Sequence, residues 1–123
     1  MNDVSSKQLK WVGGSHKNLQ DFPKKSKEVI GYALYLAQCG DKHRSAKPLK
    51  GFRGSGVLEI VENFDGNTYR VVYTVQFAEV VYVLHAFQKK SKQGIETPKP
   101  EIKVIETRLK QAQEDYSTNH GQS

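Results

Sequence analysis

Residues 57–77 read VLEIVENFDGNTYRVVYTVQF, and this stretch decides the fold class. Two runs rich in Val, Ile and Tyr flank Asp65-Gly66, a dipeptide suited to the positive backbone dihedrals of a tight hairpin. The pattern predicts strands over Val57–Phe64 and Tyr69–Phe77. A third apolar run, Val80 to Phe87, follows so closely that the three are expected to form an antiparallel meander. On the middle strand Tyr69, Val71, Tyr73, Val75 and Phe77 share one face, which is expected to meet helices. Arg70, Val72, Thr74 and Gln76 share the other, more polar face.

Upstream, Lys7 to Val12 alternates polar and apolar residues and reads as a short strand ending at Gly13-Gly14. Ser15 is expected to cap a short helix through Phe22, and Asp21 a longer one with Pro23 near its first turn. Val29, Ile30, Ala33, Leu34, Leu36 and Ala37 form its apolar face, and Gly40 is a natural stop. Asp41 to Gly56 is a basic, glycine-containing connection. Downstream, Thr97-Pro98 opens a final helix with Ile102, Ile105, Leu109, Ala112 and Tyr116 as its buried stripe, and the tail from Ser117 is expected to fray. The fold class is therefore α+β: a small antiparallel β-sheet packed on one side by helices, in the order β-α-α-β-β-β-α, with the first strand joining the meander.

The 123 residues suit one domain, 1–123, with flexible ends expected at 1–6 and 117–123. No apolar run approaches the roughly 20 residues of a membrane span. No apolar leader precedes Trp11, and a cytoplasmic location without membrane contact is expected. The single cysteine, Cys39, has no intrachain disulfide partner and is expected to be buried on its helix. His16, His43, His85 and His120 are scattered, with no Cys or His at ligand spacing, so neither a metal site nor another cofactor is expected. Nineteen Lys and Arg against thirteen Asp and Glu give a formal charge of +6, which favours a polyanionic partner over a small-molecule ligand.

Two places offer chemistry. Arg70 stands on the polar face of the middle strand, where it either meets an anion or pairs with a carboxylate such as Glu59 or Glu62. Leu84-His85-Ala86-Phe87-Gln88-Lys89-Lys90-Ser91-Lys92 delivers His85 and Phe87 on one face and then three lysines. Those ammonium groups either serve an anion or blunt the end of the sheet, and His85 is either a titrating group or a hydrogen-bonded sheet residue.

Trp11, Lys47-Pro48-Leu49-Lys50-Gly51, Gly56-Val57-Leu58-Glu59, Tyr69-Arg70-Val71-Val72-Tyr73 and Leu84-His85-Ala86-Phe87-Gln88-Lys89-Lys90-Ser91 occur in that order. From about Trp11 to Tyr116 the chain resembles the phage-derived gp49-like, HigB-type branch of the RelE/ParE toxin superfamily. The resemblance implies the toxin of a type II toxin–antitoxin pair, a ribosome-dependent mRNA endonuclease that inhibits translation. It implies a helix-turn-helix antitoxin as partner, along with the ribosome and mRNA. A ParE-like inhibitor of DNA gyrase, or a phage-derived protein that binds without catalysis, is the alternative on the same fold. The family's active-site arginine is matched by Arg70, its basic residues before the second strand by Lys47 and Lys50, and its final Lys-Lys by Lys89 and Lys90. Where many relatives carry an arginine two positions after the strand glutamate, this chain has Val61.

These residue types suit metal-free RNA cleavage, in which the ribose 2′-OH attacks the adjacent phosphate. The forked guanidinium of Arg70 matches the developing charge. Lys50, Lys89, Lys90 and His85 are the candidates for base and acid, without an assignment between them. Lys42, Arg44, Lys47, Arg53 and Lys92 are the candidate RNA-binding cations.

Overall fold

A computed structural model of the chain describes residues 6–89 and 97–120. The elements are β1 (Gln8–Trp11), α1 (Ser15–Gln20), α2 (Lys24–Gln38), β2 (Lys47–Pro48), β3 (Val57–Phe64), β4 (Asn67–Thr74), β5 (Val80–Lys89) and α3 (Lys99–His120). The protein is an α+β fold built on one five-stranded sheet in the order β1-β5-β4-β3-β2. β3, β4 and β5 form the expected antiparallel meander. Asp65 (φ 53°) and Gly66 (φ 81°) both take positive φ at its first turn, as a two-residue hairpin requires.

The sheet is mixed, not antiparallel. β1 runs parallel to β5, from Gln8 opposite Val80 to Trp11 opposite Val83. A parallel pair needs a long connection, and the two helices together with β2–β4 supply it. Side-chain alternation in a four-residue strand carries no information about direction, so this feature was not readable locally. A fifth strand, β2, also went unseen. It is two residues long and sits at the edge, where Pro48 lacks an N–H that a central strand would need.

Helices cover both faces of the sheet, a second departure from expectation. Ile30, Ala33, Leu34 and Ala37 of α2 and Leu19 of α1 pack with Tyr69, Val71, Tyr73, Val81 and Val83. On the opposite face Ile105 and Ala112 of α3 pack with Val57, Val72, Val80, Tyr82, Leu84 and Phe87. The supposed polar face thus carries enough aliphatic surface for a helix, and Val72 and Thr74 are fully buried. Every residue of β5 from Val80 to Phe87 is buried, as in a strand covered on both sides.

Only Ile105 and Ala112 of α3 are fully buried, so apolar contact is a modest part of its docking. Polar clips at seven-residue intervals, two helical turns apart, supplement it. Glu101 meets His85, Arg108 donates to the carbonyl of Leu84 at 3.0 Å, and Asp115 accepts from the Tyr82 hydroxyl at 2.6 Å and the Lys10 ammonium at 3.0 Å. Those two donors hold the Asp115 carboxyl below its ordinary range, while burial and the Asp115 hydrogen bond push the Tyr82 hydroxyl upward. The helix continues past Ser117, where fraying was expected, to His120.

Several helix ends also differ from the sequence reading. Gly14, not Ser15, precedes the first turn of α1, and the Ser15 hydroxyl donates to the carbonyl of Val83 at 3.2 Å. Asp21 closes α1, and α2 starts behind Pro23. Gly40 (φ 85°) does end α2: its N–H reaches Ala37 O and that of Asp41 reaches Leu36 O, a Schellman arrangement. Cys39 is half-buried beside it, not buried. Among the described residues no helix is long and apolar enough to cross a membrane.

Where β1 ends, the outer edge of β5 would be left open. α1 and α3 close it: Asn18 donates to Ala86 O at 3.1 Å, and Arg108 to Leu84 O. The guanidinium reaches that carbonyl by lying across Gly13, which has φ 58° and whose added Cβ would stand 2.6 Å from Arg108 Nε. Gly13→Ala is expected to destabilise the protein by about 1–3 kcal/mol through backbone strain and displacement of Arg108. In urea denaturation the loss should be less than additive with Arg108→Ala, since removing the guanidinium removes the clash.

Candidate functional site

β3 and β4 place Glu59, Val61 and Arg70 on the α3 face of the sheet. Val61 stands opposite Arg70 and Glu59 opposite Val72, so Glu59 and Arg70 are diagonal neighbours. Arg70 Nη1 donates to Glu59 Oε1 at 3.1 Å and to Thr97 Oγ1, just before α3, at 3.4 Å. The arginine side chain is 4% exposed and the glutamate 17%. A guanidinium this deeply buried is tolerable because a carboxylate accompanies it.

The pair forms one wall of a pocket of about 520 Å³, completed by Arg44, Ser45, Lys47 and Val61. The α2–β2 loop rounds the sheet edge to supply Arg44 and Ser45, while Ala46 turns inward to the α2 core. β2 then sets Lys47 directly opposite Glu59. Three cations and one carboxylate therefore line one concave space. That arrangement attracts an anion and places a potential proton acceptor beside it. Val61, opposite Arg70 on β3, adds an apolar wall, and Arg70 is the guanidinium that the sheet itself contributes.

His85 reaches the same face by a backbone irregularity. Val72 pairs with His85 but Tyr73 with Val83, so Leu84 is an extra residue in β5. The bulge changes the phase of alternation, and Leu84 and Phe87 both join the α3 core. The His85 ring stacks on Phe87 at 4.8 Å, Nε2 lies 2.6 Å from Glu101 Oε1, and Nδ1 lies 3.4 Å from Arg108 Nη1. An arginine can only donate, so Nδ1 accepts and the ring proton sits on Nε2, donated to Glu101. Burial is the main cause that lowers the His85 pKa; the Glu101 carboxylate opposes the shift and Arg108 reinforces it.

The structure thus brings Arg70, Arg44 and Lys47 together. Lys42 is exposed on the same loop. Lys50 and Arg53 are exposed on the glycine-rich turn after β2, and neither is among the described residues lining the pocket. Lys89 ends β5 opposite Thr68, and His85 is engaged with α3. Lys90 and Lys92 lie outside the described residues. The sequence offers Glu59 as an ion-pair partner and as part of the Gly56–Glu59 motif, not as a reacting group, and it does not single out Glu101 or Arg108. The repeat of charged residues at 101, 108 and 115, flanking the apolar stripe of α3, was the available signal. Among the described residues no three His, Cys, Asp or Glu side chains gather as a metal ion would require.

This is a small α+β protein with a basic pocket at one sheet edge. The family model for phage derived protein Gp49-like (DUF891) matches residues 17–110, and the chain belongs to that family. No curated protein matches it. Among solved structures, the RelBE2 toxin–antitoxin complex from Mycobacterium tuberculosis is similar at 14% identity, with a TM-score of 0.45 over 74% of this chain and 100% of that one.

Because native His85 holds its proton less tightly than the ordinary value of 6.5, the unfolded chain binds more protons just below that pH. Stability is therefore expected to fall as pH drops from about 7 through the window beneath 6.5, and to level off below the native pKa. Urea midpoints between pH 8 and 5.5 check this, with His85→Gln expected to flatten the slope across the window.

Proposed function

We propose that this protein is the toxin of a type II toxin–antitoxin pair, an endoribonuclease that cleaves mRNA on the ribosome without a metal. The observation that carries the reading is the buried Arg70–Glu59 pair, which opens into a pocket shared with Arg44 and Lys47. Membership of the Gp49-like family and the motif resemblance to HigB-type RelE/ParE toxins support it. The same resemblance supports a helix-turn-helix antitoxin as the neutralising partner.

The pocket suggests a division of labour. Glu59 takes the proton of the ribose 2′-OH as that oxygen attacks the adjacent phosphorus. Arg70 meets the charge that accumulates on the phosphoryl oxygens, with a planar fork matched to two of them. Arg44 holds a neighbouring phosphate. Lys47 supplies the proton for the departing 5′-oxygen, because arginine does not release one. The products are a 2′,3′-cyclic phosphate and a 5′-hydroxyl. In this scheme His85 is a positioning residue, holding α3 and hence Thr97 against Arg70. Lys42, Lys50, Arg53 and Lys89 serve the wider attraction to ribosomal RNA.

Induction of the protein alone should stop protein synthesis before DNA synthesis, with cleaved mRNA. Failure of supercoiling first, with intact mRNA, would establish gyrase inhibition instead. Arg70→Ala should lower the cleavage rate on bound ribosomes by about 10²–10³, the usual cost of one transition-state donor. Arg70→Lys keeps the buried charge and loses the fork, so it should stay folded and remain slow. A stable Arg70→Lys protein cleaving at the parent rate would remove Arg70 from the chemistry.

A further inference from the structure

Two of the large apolar side chains that stay exposed lie one helical turn apart on α2. Tyr32 is 56% exposed and Tyr35 is 55% exposed. Their rings lie 6.5 Å apart and 25° from parallel, and His43 meets Tyr32 edge-on at 5.8 Å. The two rings and His43 therefore form one aromatic cluster in which both tyrosines stay open to solvent.

The next residue after His43 is Arg44, whose Cα is about 3.8 Å further along the chain and whose side chain lines the Arg70 pocket. One loop thus joins an aromatic surface on the α2 side to the basic pocket on the α3 side. The surroundings are polar and of mixed charge: Lys42 and Arg44 flank His43, with Glu28 and Asp41 as the acidic neighbours in sequence. Gly31, beside Tyr32, offers no side chain to an apolar partner. A helix docking by a leucine stripe would find little to bury there, whereas nucleobases need only flat rings and nearby cations.

We propose that Tyr35, Tyr32 and His43 form a stacking platform for the bases of single-stranded RNA, next to the nucleotide whose phosphate enters the Arg70 pocket. The proposal rests on the reading of that pocket as a phosphate site. It adds a substrate requirement: an unpaired stretch extending beyond the cleaved bond, held by ring faces without hydrogen-bond readout of sequence.

The test is fluorescence anisotropy with a labelled single-stranded RNA of about 12 nucleotides, within the span of a typical single-strand binding surface, titrated at several low salt concentrations. Tyr32→Ala and Tyr35→Ala should each weaken binding about five- to a hundredfold, the range for losing one base–aromatic stack. Tyr→Phe at either position should bind like the parent, since the ring and not the hydroxyl carries the contact. Both tyrosine variants should keep the parent's salt dependence, while Arg44→Ala should reduce it. All variants are checked for unchanged melting temperature. Tyrosine-to-alanine variants that bind like the parent, while Arg44→Ala still weakens binding, would overturn the platform and leave the pocket reading intact. Binding indifferent to Arg44 as well would overturn both. Phenylalanine variants as weak as alanine would overturn stacking. Parent protein that ignores the RNA but needs Tyr32 and Tyr35 to hold an antitoxin would assign the rings to a protein partner and overturn the proposal.

Discussion

One supernumerary residue in β5 governs how the α3 side of the molecule is built. Leu84 has no partner in β4, and from that point the strand changes phase, so that Phe87 joins Leu84 under the helix. Without the bulge, Ala86 and Gln88 would continue the phase of Val80, Tyr82 and Leu84, and the stack of His85 on Phe87 would turn to the α2 side. Past the end of β1, the outer edge of β5 also leaves backbone carbonyls that need donors. Asn18 and Arg108 provide them, at Ala86 and Leu84 respectively, while Ser15 joins the Val12 N–H at Val83, and together these bonds fix α1 and α3 to the same strand.

Burial of Arg70 follows from that arrangement. α3 begins beside Thr97, whose hydroxyl touches the guanidinium, and its first turn is tied back to the sheet through Glu101 and His85. A cation in such a place is stable only with its carboxylate, so the position of Glu59 is a condition of folding as much as a feature of the pocket. The two roles do not conflict. A guanidinium held in one orientation has little reorganisation left to undergo when charge develops beside it.

Much of this was legible in the chain. Asp65-Gly66 announced the hairpin because positive φ at two successive residues is rarely met by other pairs, and Val57–Phe64 emerged with its predicted ends. The periodicity of α2 located its buried face, with Ile30, Ala33, Leu34 and Ala37 all in the core. The alternation that set Arg70 apart from Tyr69 and Val71 was correct, but the identity of the layer above it was not. Val72 between Arg70 and Thr74 was the clue that a helix covers that face. What stayed hidden depends on distant pairs: the direction of β1, the two-residue β2, and the clips from Glu101 and Arg108. No local period encodes them. The pairing of Arg70 with Glu59 stood among two options, and the strand register chose it.

The parallel pairing of β1 with β5 has a consequence for how the molecule comes into being. Gln8 is laid beside Val80, separated by most of the domain in sequence. During synthesis at about 5–20 residues per second, β1 waits several seconds or more before its neighbour exists. The hairpin of β3 and β4 needs only adjacent residues and can form meanwhile, but α3 has no sheet face to settle on until β5 is complete. Thr97 and Glu101, which bear on Arg70 and His85, are made later still. Synthesis must therefore pass Glu101 before the surroundings of Arg70 take their final form, and a product that stops after β5 would lack Thr97 and its bond to the guanidinium.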